Sequence, residues 1–265
     1  MFRPLVTVVV GLSLLAGAAA WGEVRSAVDI PTRSGVTQRV IVLAPESPRA
    51  AVVLFAGGHG GLQISPSGDI KWGAGNFLIR SRSLFASHRL LVAVVDAPSD
   101  RQDPPYLAGF RQGRQHVADI KGVIAWLRQQ AAIPVWLVGT SRGTQSVGFI
   151  ATELGPADGG PDGIVLTSTI LTDRPPSRPV PAMSLDRVTV PVLIVHHKLD
   201  GCEHCKYSDV PRLMERLMVT PRKEVLAFDG GVSRGDPCEA MAYHGFNGIE
   251  REVVAAIAEW ITRKP

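Results

Sequence analysis

The stretch Val135-Trp136-Leu137-Val138-Gly139-Thr140-Ser141-Arg142-Gly143 decides how this chain is read. Four apolar residues of strand character run directly into a G-x-S-x-G pentapeptide, and a helical segment through 147–154 follows. Between a strand and a helix, such a pentapeptide holds its serine on a sharp, strained turn. Cβ atoms on either side would collide with strand and helix, and glycine removes them. The turn presents the hydroxyl outward, and the first N–H groups of the helix face any negative charge that develops beside it. An ordinary glycine-rich strand–helix turn has the same composition, so the pentapeptide alone is a weak signal.

Working outward, apolar runs of strand length recur with helix-length segments between them. Residues 24–30 and 35–43 read as an early strand pair, and Ala50–Phe55 (AAVVLF) as a buried strand. Residues 77–87 read as a helix and Leu90–Val95 (LLVAVV) as the next strand, ending at Asp96. The spacing of Val117, Ile120, Ile124 and Leu127 predicts a helix over 117–130. Strands at 164–166, 192–196 and 225–228 follow, with helices around 213–218 and over 249–261. Continuous apolar strands separated by helices predict an α/β fold, a mainly parallel sheet covered on both faces. Sites in such sheets gather at the carboxyl ends of the strands. The Pro-rich stretch 173–181 is short and lacks helical periodicity, so a minimal cap is expected.

Chemistry is therefore sought just after each strand. Asp200 follows the strand 192–196 in His196-His197-Lys198-Leu199-Asp200-Gly201, and His244 follows the last strand in Tyr243-His244-Gly245-Phe246. A serine hydroxyl needs a base, and the base needs an orienting carboxylate. The chain order Ser141, Asp200, His244, each in a strand-to-helix loop, is the order this kind of sheet requires. The bland alternatives are a helix N-cap for Asp200 and a loop hydrogen-bonder for His244. After Phe55 comes Gly57-Gly58-His59-Gly60-Gly61, where glycines let backbone N–H groups approach a bound carbonyl closely. The amides of Gly58 or His59, together with that of Arg142, are the candidate oxyanion donors. No G-x-x-x-x-G-K-[ST] is present, so a phosphate loop is disfavoured.

With these residues in hand, the chain from 40 to 261 resembles the α/β-hydrolase superfamily. More narrowly, Asn76-Phe77-Leu78, Asp96-Ala97-Pro98-Ser99-Asp100, the G-T-S-R-G elbow, H-H-x-x-D-G-C and Asp236-Pro237-Cys238-Glu239 are similar to a group of small exported bacterial serine hydrolases. The resemblance implies hydrolysis of an ester or related acyl bond by Ser141, His244 and Asp200, with no cofactor. Peptidase branches of that superfamily usually carry a propeller or a large cap. The chain has room for neither, which favours small esters. Trp72 and His197 are candidate walls of a substrate pocket. Their bland reading is a core cover and a packing residue, and His196 reads as packing too. Asp96 and Asp100 read as turn residues.

If the acid and base loops converge, Cys202 and Cys238 meet, and a disulfide between them would tie one loop to the other. The rival is Cys202-Glu203-His204-Cys205, a C-x-x-C that could serve as a redox pair or as half of a metal site. No second C-x-x-C supplies further ligands, so no metal is expected. Two other function classes stay open: a non-catalytic binding protein on the same fold, and a thiol–disulfide protein using Cys202 and Cys205.

Composition sets the outer bounds. The 265 residues are 45% hydrophobic and carry 28 Lys and Arg against 24 Asp and Glu, which excludes global disorder. The net charge of +4 is scattered along the chain, with no basic run of the kind that binds nucleic acid. Three cysteines are too few to scaffold a fold of this length. Arg3, an apolar stretch over 5–15 and Ala18-x-Ala20 predict a secretory signal over 1–20, cleaved before Trp21. A membrane span over 4–22 is the alternative, weakened by its Gly and Ala content and the missing basic flank. The expectation is a single domain over 21–265, exported to the periplasm or beyond and left without a membrane anchor, acting on a small-molecule ester.

Overall fold

The computed structural model describes residues 25–173 and 175–263. The signal over 1–20 and its cleavage point lie outside the described residues. Strands β1 (Arg25–Arg33) and β2 (Val36–Leu43) form an antiparallel hairpin whose turn uses Gly35 at φ +70°. Then come β3 (Ala50–Phe55), the short helices α1 (Phe77–Arg80) and α2 (Arg82–Ser87), and β4 (Leu90–Val95). Helix α3 (Arg114–Gln130), β5 (Val135–Thr140), α4 (Gly143–Glu153) and β6 (Gly163–Thr167) follow. The chain continues through β7 (Val192–His197), α5 (Val210–Arg216), β8 (Lys223–Phe228) and α6 (Glu250–Thr262).

One eight-stranded sheet results, in the order β1-β2-β4-β3-β5-β6-β7-β8. All pairings from β4 to β8 are parallel, and β2 joins β4 antiparallel. Buried on both faces, the parallel strands β3 to β7 have no solvent side to reserve for polar residues, hence their apolar runs, while the edge strand β8 is only partly covered and opens on Lys223-Glu224. In β3, Ala51, Val53 and Phe55 point to one core layer with Val123, Ile124 and Ile150, while Ala50, Val52 and Leu54 point to the other with Phe85, Ile257 and Trp260. The period-2 alternation thus feeds two layers, and the carboxyl ends of β3, β5, β7 and β8 stay free to carry loops.

The helix expected over 77–87 is two helices. Ser81 sits at φ −94°, ψ 2°, outside the helical region, and the chain restarts there. Arg80, at the end of the first turn, is committed to Gly245 O at 2.6 Å and to Glu250 at 2.9 Å. The helix expected over 213–218 ends at Arg216, which leaves Met218 exposed beyond it. Between β6 and β7 the described residues form two 3₁₀ turns, Val180–Ala182 and Leu185–Arg187, and no cap domain. No helix among the described residues is long and apolar enough to cross a membrane.

Candidate active site

The elbow after β5 is built as its glycines require. Ser141 adopts φ +51°, a left-handed backbone that costs a non-glycine residue about 1–2 kcal/mol. A Cβ on Gly139 would lie 2.6 Å from Gly143 O, and one on Gly143 would run into Phe55 O. Neither position accepts another residue without moving backbone. The strained turn is pinned on both sides. Ser141 N–H donates to Thr167 O at 3.0 Å, and Ser141 O accepts from Thr144 N at 2.9 Å and Thr144 Oγ1 at 2.6 Å. Helix α4 begins two residues later, so its first N–H groups open beside the hydroxyl.

The base stands on a 3₁₀ turn, Tyr243–Gly245, after β8. Glycine is needed after it, because a Cβ on Gly245 would overlap Ala240 O. The turn is held from below by Ser168 Oγ, which donates to His244 O at 2.7 Å. His244 Nδ1 pairs with Asp200 Oδ2 at 2.9 Å, both side chains being buried. Asp200 Oδ1 accepts Cys202 N–H at 2.9 Å. With its proton on Nδ1, the neutral ring keeps a lone pair on Nε2. That nitrogen is buried and has no hydrogen-bond partner among the described residues. Cys202 and Cys238 form a disulfide that links the acid loop to the base loop. Cys205 is buried outside that bridge. Cys202, Cys205 and a ring nitrogen of His244 cluster within 4.8 Å, but the bridged Cys202 has no thiolate to give a metal.

The glycine loop closes the other side. A Cβ on Gly57 would lie 3.0 Å from Ser141 Cβ, so the loop backbone lies directly against the serine. Gly58 and Gly60 take φ +58° and +78°. The amides of Gly58 and His59 donate no hydrogen bond among the described residues and face the same cavity as Ser141. His59 stacks on Tyr106 at 4.5 Å between ring centroids, and its Nδ1 accepts from Gly61 N–H at 3.1 Å. Its proton is therefore on Nε2, and burial together with the Arg111 charge lowers its pKa and keeps the ring neutral. The return of the loop is fastened by Asp96, whose buried carboxylate accepts from the amides of Leu62, Gln63, Ile64 and Ala97 at 2.6 to 3.1 Å.

A cavity of about 310 Å³ is lined by 57–61, Asn76, Ser141, Arg142, Cys202, Cys238, Glu239 and His244, among others. It thus brings together Ser141, His244, Gly58, His59, Arg142 and both bridged cysteines, with Asp200 behind His244. Trp72 and His197, expected as pocket walls, are not among its lining residues. Trp72 is half exposed, its Nε1 donating to Gln63 Oε1 at 2.9 Å. His197 is buried beneath Tyr243, stacked at 4.4 Å, with Nε2 on Gly230 O and Nδ1 accepting from Leu199 N–H. Its ring holds the two loops after β7 and β8 together. His196 is buried, its Nε2 accepting from Thr169 N–H at 2.8 Å, and burial pushes its pKa down to about 4. Asn76 and Glu239, quoted above only within the stretches that carry the resemblance, stand in the cavity wall, and buried Arg111 behind the glycine loop belongs to no motif.

A mainly parallel eight-stranded sheet, with a serine elbow after β5 and an acid and a histidine after β7 and β8, is the α/β-hydrolase fold, and it is the fold of this chain. Solved structures share it. An esterase from Pyrococcus furiosus is similar at 14% identity and a TM-score of 0.66, over 91% of each chain. A serine hydrolase without lid from Xanthomonas campestris is similar at 14% identity and a TM-score of 0.54, over 91% of this chain and 97% of that one. A dienelactone hydrolase from Anabaena variabilis is similar at 13% identity and a TM-score of 0.58, over 90% and 94%. No family model and no curated protein matches the chain.

Proposed function

We propose that the protein is a serine hydrolase that cleaves a small carboxylic ester through an acyl-enzyme. One observation carries this reading. A serine on a left-handed elbow shares a cavity with a histidine whose Nδ1 is tied to a buried carboxylate and whose Nε2 is left without a partner. Ser141 attacks the ester carbonyl while His244 Nε2 takes the hydroxyl proton and then delivers it to the leaving alcohol. Water, activated by the same nitrogen, releases the acid. Asp200 fixes the tautomer and stabilises the imidazolium. The amides of Arg142 and of Gly58 or His59 receive the oxyanion, each donor contributing about 3 kcal/mol. The absence of a cap domain among the described residues, and a cavity of about 310 Å³, favour short acyl or alcohol groups. The Cys202–Cys238 bridge supports an oxidising, extracytoplasmic location, in line with the signal read over 1–20.

Ser141→Ala tests the reading. The variant should fold, lose turnover of short p-nitrophenyl esters and lose labelling by a fluorophosphonate. Turnover retained in that variant removes Ser141 from the chemistry. A parent chain that folds but neither turns over esters nor takes the probe is a binding protein on this fold.

A further inference from the structure

Arg111 is the one fully buried guanidinium among the described residues, and it faces no carboxylate there. Burial and the charge of Arg142 lower its pKa to about 9, so it is still a cation at neutral pH. Leaving a buried charge without a counter-ion is costly, and the fork must be held by neutral acceptors. Its Nη2 donates to Ala56 O at 3.1 Å and to Gly58 O at 3.3 Å, and its Nη1 donates to Ser146 Oγ at 3.0 Å. Ser146 belongs to α4, the helix that follows the nucleophile. One side chain therefore joins the two elements that supply the candidate oxyanion amides. Gly60 must be glycine for this, because a Cβ there would enter the guanidinium.

The bond to Gly58 O has a directional effect. In a trans peptide the C=O and the following N–H point opposite ways. Holding Gly58 O on the buried guanidinium turns His59 N–H outward, to the cavity side. We propose that Arg111 is a positioning residue of the hydrolase, clamping the glycine loop onto α4 so that the amides of His59 and Arg142 converge on the oxyanion. Its charge, on the far side of the loop, favours the anionic tetrahedral intermediate over the neutral ester. This role rests on the serine-hydrolase reading above.

The test compares Arg111→Lys, Arg111→Met and Ser146→Ala in the full chain. It uses steady-state hydrolysis of p-nitrophenyl butyrate and binding of an alkylboronic acid, which forms a tetrahedral anion on a serine. Lysine keeps the charge and loses the fork, so kcat should fall about tenfold. Methionine loses both, and a fall of about a hundredfold is expected, within the range seen when an oxyanion donor is lost or misplaced. KM should stay within about twofold in both, and boronate affinity should fall in step with kcat/KM. Ser146→Ala removes one anchor and keeps the cation. It should lose a few-fold in kcat, and it carries the test if an Arg111 variant does not fold. Unchanged kcat in folded Arg111→Lys and Ser146→Ala, with the parent active, overturns the proposal alone. A rise confined to KM overturns it too, since that signature belongs to substrate binding. A parent inactive toward esters and fluorophosphonate overturns the hydrolase reading itself.

Discussion

At the scale of single residues, the Asp200–His244 pair makes the sharpest claim. Asp200 spends one oxygen on Cys202 N–H and the other on His244 Nδ1, so its geometry is fixed from two directions. Asp200→Asn leaves the shape nearly intact, but its amide NH2 can turn toward Nδ1 and drive the ring proton to Nε2. The ring then has no lone pair for Ser141. A fall in kcat of about 10³ to 10⁴ is expected for ester hydrolysis, with circular dichroism and melting temperature little changed. Activity within tenfold of the parent would show that His244 does not depend on that carboxylate. The convergence of Ser141, Asp200 and His244 was legible in the sequence because Ser141 and Asp200 sit just past strand ends, which can be read from apolar runs, and His244 lies in the long loop between the last strand and the last helix. Arg111 was not legible. Its position between strand and helix carries no pattern, and its partners, Ala56, Gly58 and Ser146, come from distant segments brought together by the fold. His197 is the converse case: of the two readings open to a histidine near the acid loop, pocket wall or packing residue, its stacking on Tyr243 and its bond to Gly230 O give the second.

At the scale of elements, the loops after β7 and β8 are held to each other by the disulfide, the His197–Tyr243 stack, the Asp200–His244 bond, the contact of His197 Nε2 with Gly230 O and the Lys198–Asp229 ion pair. Strand β7 beneath them was read to within one residue, since a buried parallel strand is written as an uninterrupted apolar run, whereas the partly exposed β8 was read two residues short because it opens on Lys223-Glu224. Helices were read less well, because the break at Ser81 depends on Arg80 reaching Gly245 and Glu250 across the fold rather than on local propensity. The bridge closes a loop of sequence separation 36, and its loss frees that segment in the unfolded chain. A Cys202→Ser/Cys238→Ser double variant should lose about 2–5 kcal/mol of stability, read from urea unfolding. Its kcat should fall about tenfold while the fold persists at low temperature, because the acid and base loops are no longer tied together. Full kcat in the reduced or substituted protein would assign the bridge to stability alone and leave loop alignment to His197 and Tyr243.

At the scale of the whole molecule, the fold keeps two fully buried histidines neutral, His116 and His196. His116, on α3, lies between Phe55 and Phe110, and both of its ring nitrogens lack a hydrogen-bond partner among the described residues. Burial, with Arg111 and Arg33 adding to it, pushes its pKa from 6.5 down to about 3. His196 is pushed from 6.5 to about 4, chiefly by burial. The sign follows from which state takes up protons. Below pH 6.5 the unfolded chain binds a proton at each ring while the folded chain does not, so stability falls as pH falls. Above 6.5 neither state binds one and the contribution is flat. Each ring then removes up to about 1.4 kcal/mol per pH unit on the way down, His196 until about pH 4 and His116 until about pH 3. Asp29, whose pKa is lowered by its bond to Arg39, contributes only below its ordinary 3.8 and does not overlap the upper part of this window. Urea unfolding between pH 7 and 4.5 should therefore show a plateau near neutrality and a steady loss below about 6.5. In His116→Leu, which keeps an apolar side chain between the same two phenyl rings and cannot titrate, the slope from pH 6 to 4.5 should become clearly shallower, with His196 and the part-buried His59 supplying what remains. An unchanged slope would mean that His116 gains protons in the folded state as readily as in the unfolded one, which requires water or an acceptor at its ring inside the core.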